Sequence, residues 1–495
     1  MKRFCSISKS KQNKLDTIVI DGVFSQLKDY LTRIKQKESK LIDFKTPEEL
    51  KQIIPFELSD TQKSSSEEIV EYTQKIIDYS VHTPSHNFYN TLFGGFDERA
   101  IAADYIASSL NGCVYTYEIA PVFTLMEQEV TKKHAEVLRW DKHDFLFCPG
   151  GSYANFYGIT TARHNKFPEY KTKGCKNLPQ MKIVFSENGH YSFEKGAIMA
   201  GIGLENVVKV KCDKQGKMDV KELEKVLDEE KEAGNESIVV VSTLGTTVFG
   251  ALDPVSEIDK VCKERGIWHH VDACLGSGVL FLDEYHRNEP GIKNIDSIAI
   301  DYHKVFNVPQ QCTMFLTRHT NLLIQANSTK ASYLFMPDKI LYDASLDKGD
   351  KSFQCGQHID IPKIWLYWKY HSTEGIRQQI VEVMENAKYL AKLVTEHPNF
   401  ELIIEPEYNN VSFFYFPDRF LNRKKDSEFY EEIGKIAPQL KAEMVKKGTL
   451  MMAYQTLKFN DFKLPNFLRP SISVGKDKQD MEYLVNELHD IGRNL

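Results

Sequence analysis

No run of about 18 apolar residues occurs in this chain, so a membrane-spanning helix is not expected. Paired cysteine spacing is also missing. The nine cysteines, among them Cys148, Cys262, Cys274, Cys312 and Cys355, are odd in number and scattered, unlike a zinc site or a disulfide framework. That predicts a reducing, cytoplasmic setting and no metal. Nor is there a basic excess: the net charge is -6 and the sequence pI about 6.2, which excludes nucleic acid as a partner drawn by overall charge. One buried arginine would still suffice for a small anion. Internal repeats and low-complexity blocks are absent. The first fourteen residues carry Lys2, Arg3, Lys9, Lys11 and Lys14 with no acid and no apolar core, against a secretory signal. A disordered basic tail is expected there, a transit peptide being the alternative.

What is present is enough apolar material for a large core. At 495 residues and 42% hydrophobic content, more than one domain is expected. Residues 1–90 read as a helical N-terminal arm with polar breaks such as Ser64-Ser65-Ser66. Over 91–372, β-rich apolar runs alternate with helical periods: Lys182 to Phe185, Val207 to Val210, Ile238 to Val241, Ile267 to Val271, Ser297 to Ile300 and Thr313 to Leu316. Such alternation predicts an α/β domain with a mainly parallel sheet covered on both faces. Asp253-Pro254 signals the start of a helix that ends at Gly266. Residues 373–495 begin with a long helical stretch, Gly375 to Glu396, and then predict a small α+β domain.

Chemistry gathers at the predicted strand ends, where open α/β sheets bind ligands. The strand Asp144 to Phe147 runs into Pro149-Gly150-Gly151-Ser152 and a helix, a turn that aims backbone N–H groups at a phosphate. Asp272 closes the apolar strand Trp268 to Val271. Lys304, preceded by His303, follows another. An amine, a carboxylate and a phosphate cradle suit pyridoxal phosphate, whose aldehyde needs a lysine and whose ring nitrogen needs an anion. Burial is expected to lower the Lys304 pKa so that the neutral amine can attack. His190, in Asn188-Gly189-His190-Tyr191, is read as an imidazole stacked on the ring, and Thr247 as a hydrogen-bonding hydroxyl at its rim.

The runs Tyr117 to Phe123, Phe147 to Ser152, Gly245 to Val248, His270 to Ala273, Ser332 to Phe335, Gly349 to Lys351 and Gln354 to Gly356 keep the order seen in one family. Over residues 80 to 495 the chain resembles the glutamate and cysteine sulfinate decarboxylases, group II of the pyridoxal phosphate decarboxylases. The resemblance implies an aspartate-aminotransferase-like fold (fold type I), a homodimer with its site at the subunit interface, and α-decarboxylation of an acidic amino acid. It implies that Lys304 binds the cofactor's aldehyde, that Asp272 partners the ring nitrogen and that His190 stacks. Gly151, Ser152 and His303 would surround the phosphate, and Cys274 would touch the ring. Tyr342 matches a loop tyrosine that delivers a proton to the substrate's α-carbon, and Arg469 the arginine that fixes a substrate carboxylate.

Several positions depart from the family. Asp301-Tyr302 stands for the usual Asn-Pro, and an acid near a phosphate is unfavourable unless protonated or turned away. Cys274 replaces Ala, and Gln357 replaces Arg after Cys355-Gly356. Thr91 takes the place of a glutamine found in glutamate decarboxylases; with Phe93 and Ser152 it brings the chain closer to the cysteine sulfinate and aspartate type. Val271 to Gly276 also resembles the sphingosine phosphate lyases, so another carbon–carbon lyase is an alternative. A non-catalytic homologue is a further one, and it would be expected to lose Lys304 or Asp272.

Overall fold

The computed structural model describes residues 17–37, 39–459 and 462–495, so the tail expected at 1–14 lies outside the described residues. Two compact units divide the described residues, one running up to residue 88 together with 442–451 and the other 89–441 with 452–495. In the first, helices span Thr17–Ile34, Pro47–Ile53 and Ser66–Tyr79. The last two begin with capping boxes, Thr46 with Glu49 and Ser65 with Glu68, which satisfy backbone donors that a helix start leaves open. Gly22 lets the first and third helices close: a Cβ there would stand 2.8 Å from Val70, and Gln26 donates to the Val70 carbonyl at 2.9 Å.

Among the described residues, twelve strands form two sheets. In chain order they are β1 (Phe88–Tyr89), β2 (Asp144–Cys148), β3 (Met181–Ser186), β4 (Val207–Val210), β5 (Glu236–Thr243), β6 (Trp268–Ala273), β7 (Ser297–Asp301), β8 (Thr313–Thr317), β9 (Phe400–Ile404), β10 (Ser412–Tyr415), β11 (Met451–Phe459) and β12 (Phe462–Arg469). The larger sheet has the order β2-β8-β7-β6-β5-β3-β4. β4, β3, β5, β6 and β7 pair parallel, and β8 runs against both β7 and β2. The mainly parallel α/β sheet expected from the alternating pattern is therefore present. Its strands are apolar on both faces, as in Ile238 to Val241, because helices cover both sides. The smaller sheet, order β1-β11-β12-β10-β9, is antiparallel over β9 to β12.

Two local expectations changed. Asp253 does not cap the helix Val255–Arg265; its carboxylate accepts from the N–H groups of Met218 and Thr243, both at 2.7 Å, tying the end of β5 to a neighbouring loop. The helix still ends at Gly266, whose φ of 63° is left-handed. The long helical stretch starts earlier, at Ile361, and reaches Glu396 through a break at Ser372, where φ is 59°.

His134, on the helix Pro121–Leu138, is buried against the rings of Phe281, Tyr302 and Trp368. Its Nδ1 faces the Val130 carbonyl at 2.8 Å and so carries the proton, leaving Nε2 to accept from the Tyr302 hydroxyl at 2.7 Å. Burial pushes its pKa down from 6.5 to about 4, so the folded chain holds it neutral. Unfolding exposes an ordinary imidazole that binds a proton below about 6.5. The stability this neutral ring contributes is thus present above pH 6.5 and lost as pH falls toward 4, at up to about 1.4 kcal/mol per pH unit. In His134→Gln, urea midpoints between pH 4 and 6.5 are expected to fall less steeply than in wild type; an unaltered slope would clear His134 as a cause.

Candidate active site

Because β3, β5, β6 and β7 are parallel, their carboxyl ends share one edge of the sheet, and β2 ends there too. Register fixes the neighbours: Thr243 pairs with Asp272, while Thr313 stands between Cys148 and Asp301. At this edge lies a cavity of about 220 Å³. Gly151, Ser152, His190, Thr247, Asp272, Cys274, His303 and Lys304, all picked out from the sequence, line it.

The charges in it are coupled. Asp272 is buried and accepts from the Asn155 amide at 2.8 Å and from the Cys274 N–H at 3.1 Å. Burial opposes its charge, yet the Lys304 ammonium, then His190 and the Cys274 N–H, outweigh it and hold the carboxyl below its usual range. Lys304 Nζ lies 3.2 Å from Asp301, a carboxylate only 1% exposed. The expectation that burial would lower the Lys304 pKa is reversed: burial pulls it down, but Asp301, with Cys274 and Asp272 behind it, raises it above the ordinary lysine value. Asp301 also accepts from the Thr313 hydroxyl and lies 3.6 Å from His303 Nε2. Burial lowers the pKa of both His190 and His303, disfavouring their charged forms.

The helix Gly151–Lys166 points its start into the cavity. Its N-cap is Gly150 at φ 98°, which offers no side-chain cap, and Gly151 is crowded: a Cβ there would lie 2.6 Å from Cys274 Sγ and 3.1 Å from an Asp301 oxygen. Backbone N–H groups at an uncapped helix start suit a phosphate. An amine and an anionic carboxylate on the walls of one small cavity suit the aldehyde and ring nitrogen of pyridoxal phosphate. The residues present therefore fit that group.

Other candidates lie elsewhere. Thr91 and Phe93 flank Leu92, which does line the cavity, while the Thr91 hydroxyl donates to the Phe93 carbonyl at 2.9 Å. Tyr342 is outside it; its hydroxyl bonds to Lys339 and, at 3.1 Å, to Asp347, and its ring lies 4.9 Å from that of Tyr117. Arg469, the last residue of β12, is 6% exposed, and its Nε and Nη1 have no hydrogen-bond partner among the described residues. Two residues on, Ser471 bridges Asn410, whose amide donates to the carbonyl of Thr247 on the cavity wall at 3.0 Å. Gln357 is buried, with its N–H to Cys113 Sγ at 3.1 Å. Sequence reasoning missed Asn155, Thr243 and Tyr191 as lining residues, and it treated Asp301 only as a departure.

The pyridoxal-dependent decarboxylase conserved domain matches residues 47–416, and the chain belongs to that family. It is a pyridoxal-phosphate-dependent amino acid decarboxylase, and pyridoxal phosphate is its cofactor. Among relatives, it is 39% identical to human cysteine sulfinic acid decarboxylase over 92% of each chain. It is 37% identical to Drosophila melanogaster glutamate decarboxylase over 96% of this chain and 92% of the relative. The crystal structure of mouse CSAD superposes with a TM-score of 0.91 at 38% identity, covering 97% of this chain and 99% of that one. The fold expected from the family resemblance is thus the one observed.

Asp301 confronts the same helix start as an anionic cofactor would, and it holds Lys304 protonated. Both effects oppose cofactor binding. In Asp301→Asn, the cofactor-free protein is expected to bind pyridoxal phosphate about ten-fold tighter or more, the scale of one like-charge repulsion at an effective dielectric near 20. Fluorescence titration measures it; equal or weaker affinity would mean that the carboxylate helps.

Proposed function

We propose that this enzyme releases the α-carboxylate of a small acidic amino acid as CO2, accepting cysteine sulfinate or aspartate ahead of glutamate, and works as a cytoplasmic homodimer. The observation that carries the substrate class is Arg469. Burial lowers its pKa only to about 10, so the guanidinium stays charged, and two of its nitrogens lack partners among the described residues. A buried charge left unpaired is costly, and a substrate's side-chain acid would compensate it. The preference for a short side chain rests on Thr91, whose hydroxyl is engaged with its own loop, and on the likeness to human cysteine sulfinic acid decarboxylase.

Pyridoxal phosphate, when bound, supplies an aldehyde that takes up amines and a ring that withdraws the electron pair left as the carboxylate departs. The chain's own residues do the rest. Lys304 would provide the holding amine, and its ammonium, paired with Asp301 at 3.2 Å, must first lose a proton. Asp272 keeps its negative charge and so favours a proton on the ring nitrogen. Gly151 and Ser152 offer backbone N–H groups to the phosphate, with His303 beside them. His190 would face the ring, with Cys274 and Thr247 at its border, all three lining the cavity. Tyr342 is assigned the proton delivered to the α-carbon, after the carboxylate has gone and water has been excluded.

The homodimer is supported by an apolar trough on the second unit. Ile106, Leu110, Ile119, Val122, Met126 and Leu366 line it, and Leu110 and Val122 are 60% and 57% exposed. Contiguous apolar surface of this kind marks an interface.

Two tests follow. CO2 release from aspartate, cysteine sulfinate and glutamate is expected in that preference class for wild type. In Arg469→Met, kcat/KM for these acids should drop by about 2–5 kcal/mol of transition-state binding, roughly thirty-fold to a few thousand-fold. Undiminished turnover of the acids by Arg469→Met would defeat the substrate assignment. Separately, Val122→Asp with Leu110→Asp is expected to convert a dimer into a monomer in sedimentation velocity; a wild type that is itself monomeric removes the interface reading.

A further inference from the structure

A chain of hydrogen bonds behind the cavity has its direction dictated by the chemistry of its members. Trp268 Nε1–H can only donate, and it donates to Ser297 Oγ at 2.8 Å. Asn155 Nδ2 donates to Asp272 Oδ2 at 2.8 Å and to Ser192 Oγ at 3.0 Å; flipped, its carbonyl oxygen would face a carboxylate. Asn155 Oδ1 must then accept, and its partner is His270 Nε2 at 3.1 Å. His270 therefore carries its proton on Nε2, and its Nδ1 accepts from the Ser297 hydroxyl at 2.8 Å. The other branch is fixed in the same way. Ser192 Oγ, already accepting from Asn155, turns its own proton toward His190 Nδ1 at 2.8 Å, so a neutral His190 is protonated on Nε2.

We propose that Trp268, Ser297, His270 and Asn155 form a one-way positioning chain that forks at Asn155, holding Asp272 as the anion and His190 as its Nε2–H tautomer. None of the four would touch substrate, and only Asn155 lines the cavity. Their role is to decide which atoms of Asp272 and His190 hold protons.

Packing supports a dedicated purpose. His270 is 0% exposed, its ring lies 6.0 Å from that of Phe315 and 6.3 Å from that of Phe193, and Gly158 faces it so closely that a Cβ would stand 2.8 Å from the ring. A leucine would fill such a site without needing polar partners. Burial pushes the imidazole down to about 4, so the ring stays neutral, as the chain requires. A charged ring would donate at both nitrogens, forcing the Ser297 hydroxyl to turn away.

The proposal rests on the reading of Asp272 and His190 given above, and its test separates the two. In cofactor-free protein labelled with ¹⁵N-histidine, long-range imidazole spectra are expected to report the Nε2–H tautomer for both His270 and His190. An Nδ1–H or charged His270 overturns the chain whatever Asp272 does. His270→Leu is then expected to lose the Nε2–H preference at His190, to weaken cofactor affinity and to lower kcat on the order of ten- to a hundred-fold, the usual scale for outer partners of a site, with KM little moved. His270→Gln keeps an N–H where Nε2 stood, and recovery of the tautomer and cofactor absorbance is expected. Failure of the glutamine to recover more than the leucine contradicts a directional role. Asp272→Asn is the control: if it alters the bound cofactor's pH-dependent absorbance and His270→Leu does not, the chain falls while the reading of Asp272 stands. If Asp272→Asn leaves that absorbance unchanged, the reading of Asp272 falls with it.

Discussion

Parallel pairing constrains everything else at this site. Strands that run the same way must finish on the same edge, so whatever residue follows each one is delivered to a common place without any loop having to travel. β2 brings Gly151, β3 brings His190, β5 brings Thr243 and Thr247, β6 brings Asp272 and β7 brings Asp301 and Lys304. Reversing one strand would move its functional residue a full strand length away. β8 shows the converse: it runs antiparallel, and its amino end, Thr313, is what reaches this edge, where its hydroxyl serves Asp301.

Gathering these groups concentrates charge in little space. Two carboxylates, Asp272 and Asp301, share one ammonium, and both are almost fully buried. Neither could remain anionic there without partners. Asp272 has the Asn155 amide and the Cys274 N–H, while Asp301 has Thr313 and Lys304. The two acids are therefore stabilised by different means. When Lys304 is engaged elsewhere, Asp272 loses the ammonium that most favours its charge but keeps two neutral donors, while Asp301 keeps the Thr313 hydroxyl.

Much of this was readable in the chain. Strand ends flagged Gly151, Asp272 and Lys304 because apolar runs stop there, and the alternation of β-rich and helical periods predicted the parallel sheet. Asn155 was missed although a signal existed: it lies four residues after Gly151, one helical turn, and so shares the face that looks into the cavity. Thr243 could not be read, since its place beside Asp272 depends on the register of β5 against β6. The direction of the Lys304 shift was misjudged for a related reason. Burial is legible from an apolar strand, but a compensating carboxylate three residues earlier acts only once the chain turns after β7 and brings it to 3.2 Å.

Tyr342 and Arg469 stand apart from the cavity walls in sequence and in space, and their surroundings differ in kind. Arg469 is buried without enough partners, a state that a bound anion relieves. Tyr342 is fully occupied, by Lys339 and Asp347 at its hydroxyl and by Tyr117 at its ring. Around it the segment is held by ion pairs, Lys348 with Glu127 and the part-exposed Lys351 with Asp144, while Ile340 and Leu341 are 97% and 95% exposed. Firm attachment beside two bare apolar side chains is not how a segment covered only by solvent is built. On the dimer reading proposed above, a second copy would cover those side chains.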